Sequence, residues 1–196
     1  MEDDLAALRA DLLDDVHEVL IDRERLQERI RELAQEIEED YRDVERPLLL
    51  CVLKGAFVFL ADLTRLLDMP HEVDFMAISS YGAGTASSGA VRIVLDLKED
   101  IAGRHVLIVE DIIDSGRTLD YMRRNLLARA PATLRICTLL NKPSRRAVDV
   151  PVDYVGFDIP DEFVVGYGLD FAQLYRNFPF IAVLKPSAFG GEPKDA

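Results

Sequence analysis

Nowhere in the 196 residues does an apolar run approach the ~20 needed to cross a membrane as a helix, so the sequence offers no candidate span. Basic residues are scarce: 23 Lys and Arg stand against 36 Asp and Glu, a formal charge of −13. A broad nucleic-acid or anionic-membrane surface is therefore not expected, because both depend on basic patches. The N-terminus, MEDDLAALRADLLDD, is acidic where an export or transit peptide would be basic, which predicts a cytoplasmic protein. Only two cysteines occur, Cys51 in LLLCVL and Cys137 in LRICTLL; both lie in apolar runs of strand type and read as inert core thiols. No GxxxxGK[ST] is present and no GxGxxG follows a strand, which excludes a P-loop nucleotide hydrolase and a dinucleotide fold. There is no internal repeat.

What the sequence does have is the balance of a globular chain, 49% hydrophobic and 30% charged, with a length that suits one catalytic domain over residues 1–196. After Asp22, a plausible N-cap, Leu26, Ile30, Leu33, Ala34 and Ile37 recur at helical spacing and predict an amphipathic helix ending near Tyr41. Pro47 then introduces Leu48 to Leu53, apolar without alternation, as in a strand covered on both faces. Ala56 to Leu67 returns to helical spacing, and a further helix is predicted from Leu119 to Arg129, closed by Pro131. Further strands are predicted at Val73 to Ser79, Val91 to Leu95, Val106 to Glu110, Leu134 to Leu140, Tyr154 to Phe157 and Ile181 to Leu184. The alternation implies an α/β fold, an open and mostly parallel Rossmann-like sheet. Ser80 to Ala90, SYGAGTASSGA, is small, polar and glycine-rich, suited to a flexible loop over a site, and Gly190 to Ala196 reads as a frayed terminus.

The chemistry concentrates in VLIVEDIIDSGRTL, Val106 to Leu119, read as a buried strand to Val109 followed by the acids Glu110 and Asp111, a loop, and a helix. Ligands of open α/β sheets bind beyond the carboxyl ends of the strands, and a helix N-terminus offers free amides to an anion. Gly116 permits close backbone approach, Ser115 and Thr118 add hydroxyl donors, and Arg117 adds a cation, so a phosphate fits this loop. The two acids cannot bind that phosphate. They suit ribose hydroxyls or a hard cation such as Mg²⁺, and a sugar phosphate satisfies both halves. Receiver domains also carry acids after an apolar strand, but there at the first strand; here about five elements come before.

This segment resembles the phosphoribosyl-pyrophosphate motif of type I phosphoribosyltransferases, and EDIIDSG resembles the hypoxanthine-guanine branch. The resemblance runs from about Val44 to Pro186 through VLKGAFVFLADL, SSYGAGTASSGAV, LLNKPSRR, DIPDEFVVGYGLD and LYRN, in the family's order. It implies a type I phosphoribosyltransferase fold with helices on both sheet faces, a flexible loop, and a small hood from the N-terminal region and about residues 154–186. It implies transfer of the 5-phosphoribosyl group from phosphoribosyl pyrophosphate to hypoxanthine or guanine, with Mg²⁺ as cofactor and a homodimer or homotetramer as the assembly. By position, Lys54 and Gly55 match the pyrophosphate loop, where the family has a non-proline cis peptide, and Ser80 and Tyr81 match the start of the flexible loop. Phe163 matches the aromatic stacked on the purine, Ile112 the residue on its other face, Val164 a backbone contact to the base, and Lys142 the donor to the 6-oxo group. An ammonium donates only, so Lys142 would disfavour a 6-amino purine. Asp114 matches the general base that takes the N7 proton, Asp170 the carboxylate ligand of a second Mg²⁺ bound to pyrophosphate, and Arg176 a pyrophosphate contact, while Glu110 and Asp111 are the other metal candidates. Ala56 and Arg117 stand where some members carry Gly and Lys.

Arg145 and Arg146 match no assigned role and are expected to be solvated or to contact a second subunit. Xanthine stays open as an acceptor beside hypoxanthine and guanine. The rival of another class is a nucleic-acid-binding regulator on the same fold, which the acidic charge disfavours.

Overall fold

A computed structural model describes residues 10–80 and 91–189. Asp22 caps the first long helix, α2 (Arg23–Asp40), by accepting from the Arg25 amide at 2.8 Å, and Leu26, Ile30, Leu33, Ala34 and Ile37 form its buried stripe. It follows a single turn, α1 (Ala10–Leu13), and a strand, β1 (Val16–Ile21). Then come β2 (Leu48–Leu53), α3 (Phe57–Leu66), β3 (Glu72–Ser80), β4 (Val91–Leu95), β5 (His105–Ile113), α4 (Arg117–Leu127), β6 (Thr133–Asn141) and β7 (Tyr154–Asp158). The main sheet has the order β4-β3-β2-β5-β6-β7, all parallel except β4.

The apolar runs lack alternation because each strand feeds two layers. Leu49 and Cys51 of β2, Leu107 and Val109 of β5, and Cys137 and Leu139 of β6 pack with α2 and α3. Their neighbours Leu48, Leu50, Val52, Val106, Ile108 and Ile136 pack on the other face with Leu119, Met122 and Leu126 of α4. Covering both faces is what a parallel sheet requires. Both cysteines lie in the first of these layers, and burial raises both thiols, Cys51 to about 12, as inert core thiols would be.

The expected strand Ile181–Leu184 exists but belongs elsewhere. As β9 it lies between β1 and a two-residue strand, β8 (Val164–Val165), in a separate antiparallel sheet. Sequence periodicity missed β1 and β8 because one carries charges and the other is too short to show a period. Tyr167 joins this sheet to the helical layer: its hydroxyl donates to Asp62 on α3, and Gln27 on α2 donates to both Asp62 Oδ2, at 3.1 Å, and the Tyr167 oxygen, at 3.3 Å. Of the predicted loop Ser80 to Ala90, residues 81–90, Tyr81 among them, lie outside the described residues, as does the tail from Gly190.

Candidate active site

One boundary in the motif is corrected. The strand does not end at the acids; β5 runs on to Ile113, because β6 continues alongside and pairs with Glu110, Ile112 and Ile113. On the other side β2 pairs with β5 only as far as Cys51 and Val109. The last four residues of β5 therefore face a crevice where β2 turns away, through a cis peptide between Leu53 and Lys54, into Gly55. The cis bond is the one before Lys54. Gly55 abuts Asp111 so closely that a Cβ there would fall 1.4 Å from Asp111 Oδ2, so this position admits no side chain.

The two acids are half-buried rather than fully solvated. Glu110 Oε2 is buried and finds no hydrogen-bond partner among the described residues. Asp111 accepts from the Ile112 amide at 2.8 Å, and burial raises its carboxyl to about 6. Burial, then the Asp111 charge, raises Glu110 well above the ordinary carboxylate range. Two carboxylates so placed are costly unless a hydroxyl or a cation meets them.

Beside them the loop Asp114–Gly116 leads into α4. Its N-cap is Gly116 in a left-handed conformation, φ 79°, with no side-chain cap on the helix amides, so the first turn keeps free donors for an anion. Ser115 Oγ lies 3.5 Å from the Arg117 amide, at the limit of a hydrogen bond. The loop is held from behind: Lys142 N donates to Ile113 O at 2.9 Å, and the Ala147 and Val148 amides donate to Ser115 O at 3.0 and 3.1 Å. Arg117 is exposed and Thr118 half-buried at the helix start.

Arg145 is exposed, as expected of a solvated arginine, and Arg146 is half-buried, but both have partners within the chain. Arg145 Nε donates to Asp114 Oδ1 at 3.1 Å and lies 3.7 Å from Asp161. Arg146 donates to Asn141 Oδ1 and packs against Gly116. Neither partner could be read from the chain, because each depends on the turn Pro143–Arg145 folding back over the motif. On the same turn Lys142 is only 8% exposed and donates through Nζ to the Glu162 carbonyl at 2.6 Å. That bond fixes the ammonium beside the segment bearing Phe163 and Val164. Phe163 is 40% exposed and meets Phe171 edge-on at 5.6 Å, while Val164 is buried in β8. Ile112, on β5, packs partly against the core.

A third group closes the crevice from the smaller sheet. Arg176 pairs with Asp170 at 2.6 Å and donates to the Gly168 carbonyl at 2.6 Å. Gly168, at φ 102°, presses on Gly55, whose carbonyl would meet a Cβ there at 2.1 Å. Gln173, a residue the motif comparison did not single out, accepts through Oε1 from both Lys54 Nζ and Arg176 Nη2 at 3.3 Å, and its own amide donates to Asp170 Oδ2 at 2.8 Å. Ser80 ends β3, and Tyr81 lies outside the described residues. Among the described residues no cluster of three or more His, Cys, Asp or Glu side chains converges on one point. A divalent ion here would take only one or two carboxylates and complete its shell from substrate and water, as Mg²⁺ commonly does.

The carboxyl ends of parallel strands, with an uncapped helix N-terminus on one side and half-buried acids on the other, could hold a sugar phosphate. Residues 20–172 match the phosphoribosyl transferase domain, and the chain belongs to the phosphoribosyltransferase family. It is an enzyme of the type I fold, and within the family its resemblance is to the hypoxanthine-guanine branch. It is 51% identical to the hypoxanthine-guanine phosphoribosyltransferase of Mycobacterium avium over 180 residues, 89% of each chain. It is 56% identical to the hypoxanthine phosphoribosyltransferase of Salmonella typhimurium over 165 residues, 84% of this chain and 93% of that one. A crystal structure of the Staphylococcus aureus hypoxanthine phosphoribosyltransferase superposes with a TM-score of 0.87 at 42% identity, covering 93% of this chain and 98% of that one.

Proposed function

We propose that this enzyme salvages purines by joining N9 of hypoxanthine or guanine to C1 of phosphoribosyl pyrophosphate, giving IMP or GMP and pyrophosphate. The observation that carries the sugar half is the half-buried pair Glu110 and Asp111, with Glu110 Oε2 unpartnered among the described residues, beside the free amides of α4. The 5-phosphate sits on Ser115, Gly116, Arg117 and Thr118, and Glu110 and Asp111 take the ribose hydroxyls. Lys142 donates to the purine 6-oxo group. Phe163 stacks on one ring face and Ile112 packs on the other, with the Val164 backbone at the ring edge. Asp114 accepts the N7 proton as the N9 lone pair forms the bond to C1, and the electron pair of the breaking C1–oxygen bond leaves with pyrophosphate. Such a positioned base contributes on the order of 10² to 10⁴ in rate. Lys54, the Gly55 backbone and Arg176 hold the departing pyrophosphate, and Ser80 and Tyr81 begin the loop that excludes water.

The donor set fits Mg²⁺. Hard carboxylate oxygens suit it, and Glu110 Oε2 is buried without a partner among the described residues; Glu110 and Asp111 would hold one ion and Asp170 a second. When bound, it supplies charge neutralisation to the pyrophosphate oxygens. A homodimer or homotetramer is supported by Phe57 on α3 and Val73 and Phe75 on β3, which stay 44, 41 and 38% exposed. Two free, buried cysteines suit a reducing, cytoplasmic setting.

The test is pyrophosphate release with Mg²⁺, phosphoribosyl pyrophosphate and each purine in turn. Release with hypoxanthine and guanine and none with adenine is expected; the xanthine arm measures discrimination at C2. No release with any base would overturn the reading.

A further inference from the structure

Resting on the reading of Asp114 as the proton acceptor, we propose that Arg145 is its positioning residue. Asp114 lies between two residues whose carbonyls are both taken by one segment: Ile113 O by Lys142 N at 2.9 Å, and Ser115 O by the amides of Ala147 and Val148 at 3.0 and 3.1 Å. Between these anchors the chain makes the turn Pro143–Arg145, closed by Arg145 N donating to Lys142 O at 3.2 Å and Arg146 N donating to Pro143 O at 3.2 Å. The backbone therefore sets Arg145 opposite Asp114 before either side chain chooses a rotamer. The pairing is not an accident of two long side chains meeting on the surface.

Arg145 Nε then donates to Asp114 Oδ1 at 3.1 Å. A guanidinium can only donate, so it takes up one acceptor site of Oδ1, and we assign the purine N7 proton to Oδ2, the oxygen it leaves unheld. The same Nε lies 3.7 Å from Asp161, two residues before Phe163, so the guanidinium also ties the base to the segment that carries the purine contacts. Lys142 and Arg145 thus form one unit. The first reads the 6-oxo group and the second aims the base at the neighbouring ring nitrogen. Arg145 touches no group assigned to phosphate, and its side chain is 54% exposed, so its effect belongs to the chemical step rather than to sugar binding or folding.

The test combines Arg145→Ala and Arg145→Lys with Asp114→Asn, each in the full-length enzyme with hypoxanthine and Mg²⁺. Arg145→Ala should lower kcat about tenfold, since a small misplacement of a reacting group costs one to two orders of magnitude, with KM for phosphoribosyl pyrophosphate within about twofold. Arg145→Lys should recover part of the loss, and both variants should melt with the parent. In the Asp114→Asn background the Arg145→Ala change should cost nothing further in kcat, because the base it positions is gone. If Asp114→Asn collapses kcat while Arg145→Ala leaves it unchanged, or if Arg145→Ala costs the same in both backgrounds, the proposal is overturned and Asp114 keeps its role. Full kcat in Asp114→Asn alone would instead overturn the reading of Asp114 as the base, and the proposal with it.

Discussion

The two ends of the main sheet handle charge in opposite ways. At the amino ends of the strands every acid of note has a partner. Asp40 accepts from the Tyr154 hydroxyl at 2.7 Å and from Arg135, which also donates to Tyr154 at 2.7 Å. Glu72 meets Arg46 at 2.7 Å and Arg104 at 2.9 Å, and Asp96 meets Arg129 at 2.8 Å. The Tyr154 hydroxyl holds Asp40 below the ordinary carboxylate range, and Arg129 does the same for Asp96. At the carboxyl ends, among the described residues, Glu110 and Asp111 have no cation paired to them and Glu110 Oε2 has no partner, and both carboxyls are raised. Left-handed backbone is more frequent there, at Gly116, Gly166, Tyr167, Gly168, Ala172, Gln173 and Tyr175, against Arg46, Gly103 and Ala130 at the other end. One end is built to be stable by itself; the other is completed by what it binds.

Four substitutions can break or sharpen that contrast. The largest effect is expected for Asp114→Asn, which should lower kcat by about 10² to 10⁴ while the melting temperature and KM for the sugar substrate hold, as steady-state kinetics and calorimetry would record. A parallel fall in stability would place Asp114 among the structural acids. Next, Lys142→Ala should weaken hypoxanthine and guanine about 10- to 100-fold and narrow the gap to adenine. Competition assays with the three bases read this directly, and an unmoved preference would mean the buried ammonium serves only the Glu162 carbonyl.

Asp111→Asn should do what a binding-site acid predicts and raise the melting temperature of the ligand-free enzyme by a few degrees at pH 8. The folded carboxyl is raised from the ordinary 3.8 to about 6, so its stabilising share is complete below the lower value and lost as pH rises through the upper one. The gain from Asn therefore opens between those values and persists above them, alongside a higher KM for the sugar at limiting Mg²⁺. Equal melting at pH 8 would show that Asp111 is not a burden. Smallest is Asp40→Asn at the other end. Its lowered carboxyl stabilises above the ordinary range and loses that share as pH falls, so Asn should cost about 1 kcal/mol or less at neutral pH. The cost should fade in acid and leave kcat untouched; a kinetic defect would mean the two ends are coupled.

Much of this was legible beforehand. The stripe of α2, its Asp22 cap, the limits of β4 and β9, and the split of apolar strands between two helical layers follow from spacing alone, because burial imposes periods of 3.6 and 2 on the residues that meet it. The EDIIDSG loop was legible for a similar reason: strand, acids, glycine and helix start are contiguous, so their chemistry is local.

Contacts across the chain were not legible. The extension of β5 to Ile113 needed β6 as a partner, β9 joined the smaller sheet only once β1 and β8 lay beside it, and Gly55 came to rest on Asp111 through a turn 56 positions earlier in the chain. Arg145 shows the division most clearly. By residue type it is a solvated cation, and nothing within its own segment names Asp114, 31 positions away, as its partner. Sequence by itself determined which residues are apolar, which can bind phosphate and where helices start, since these depend on near neighbours. Tertiary structure alone decided which charges meet and which stay unpaired, because electrostatic cost is set by enclosure and distance, and both exist only after the sheet and its crevice have formed.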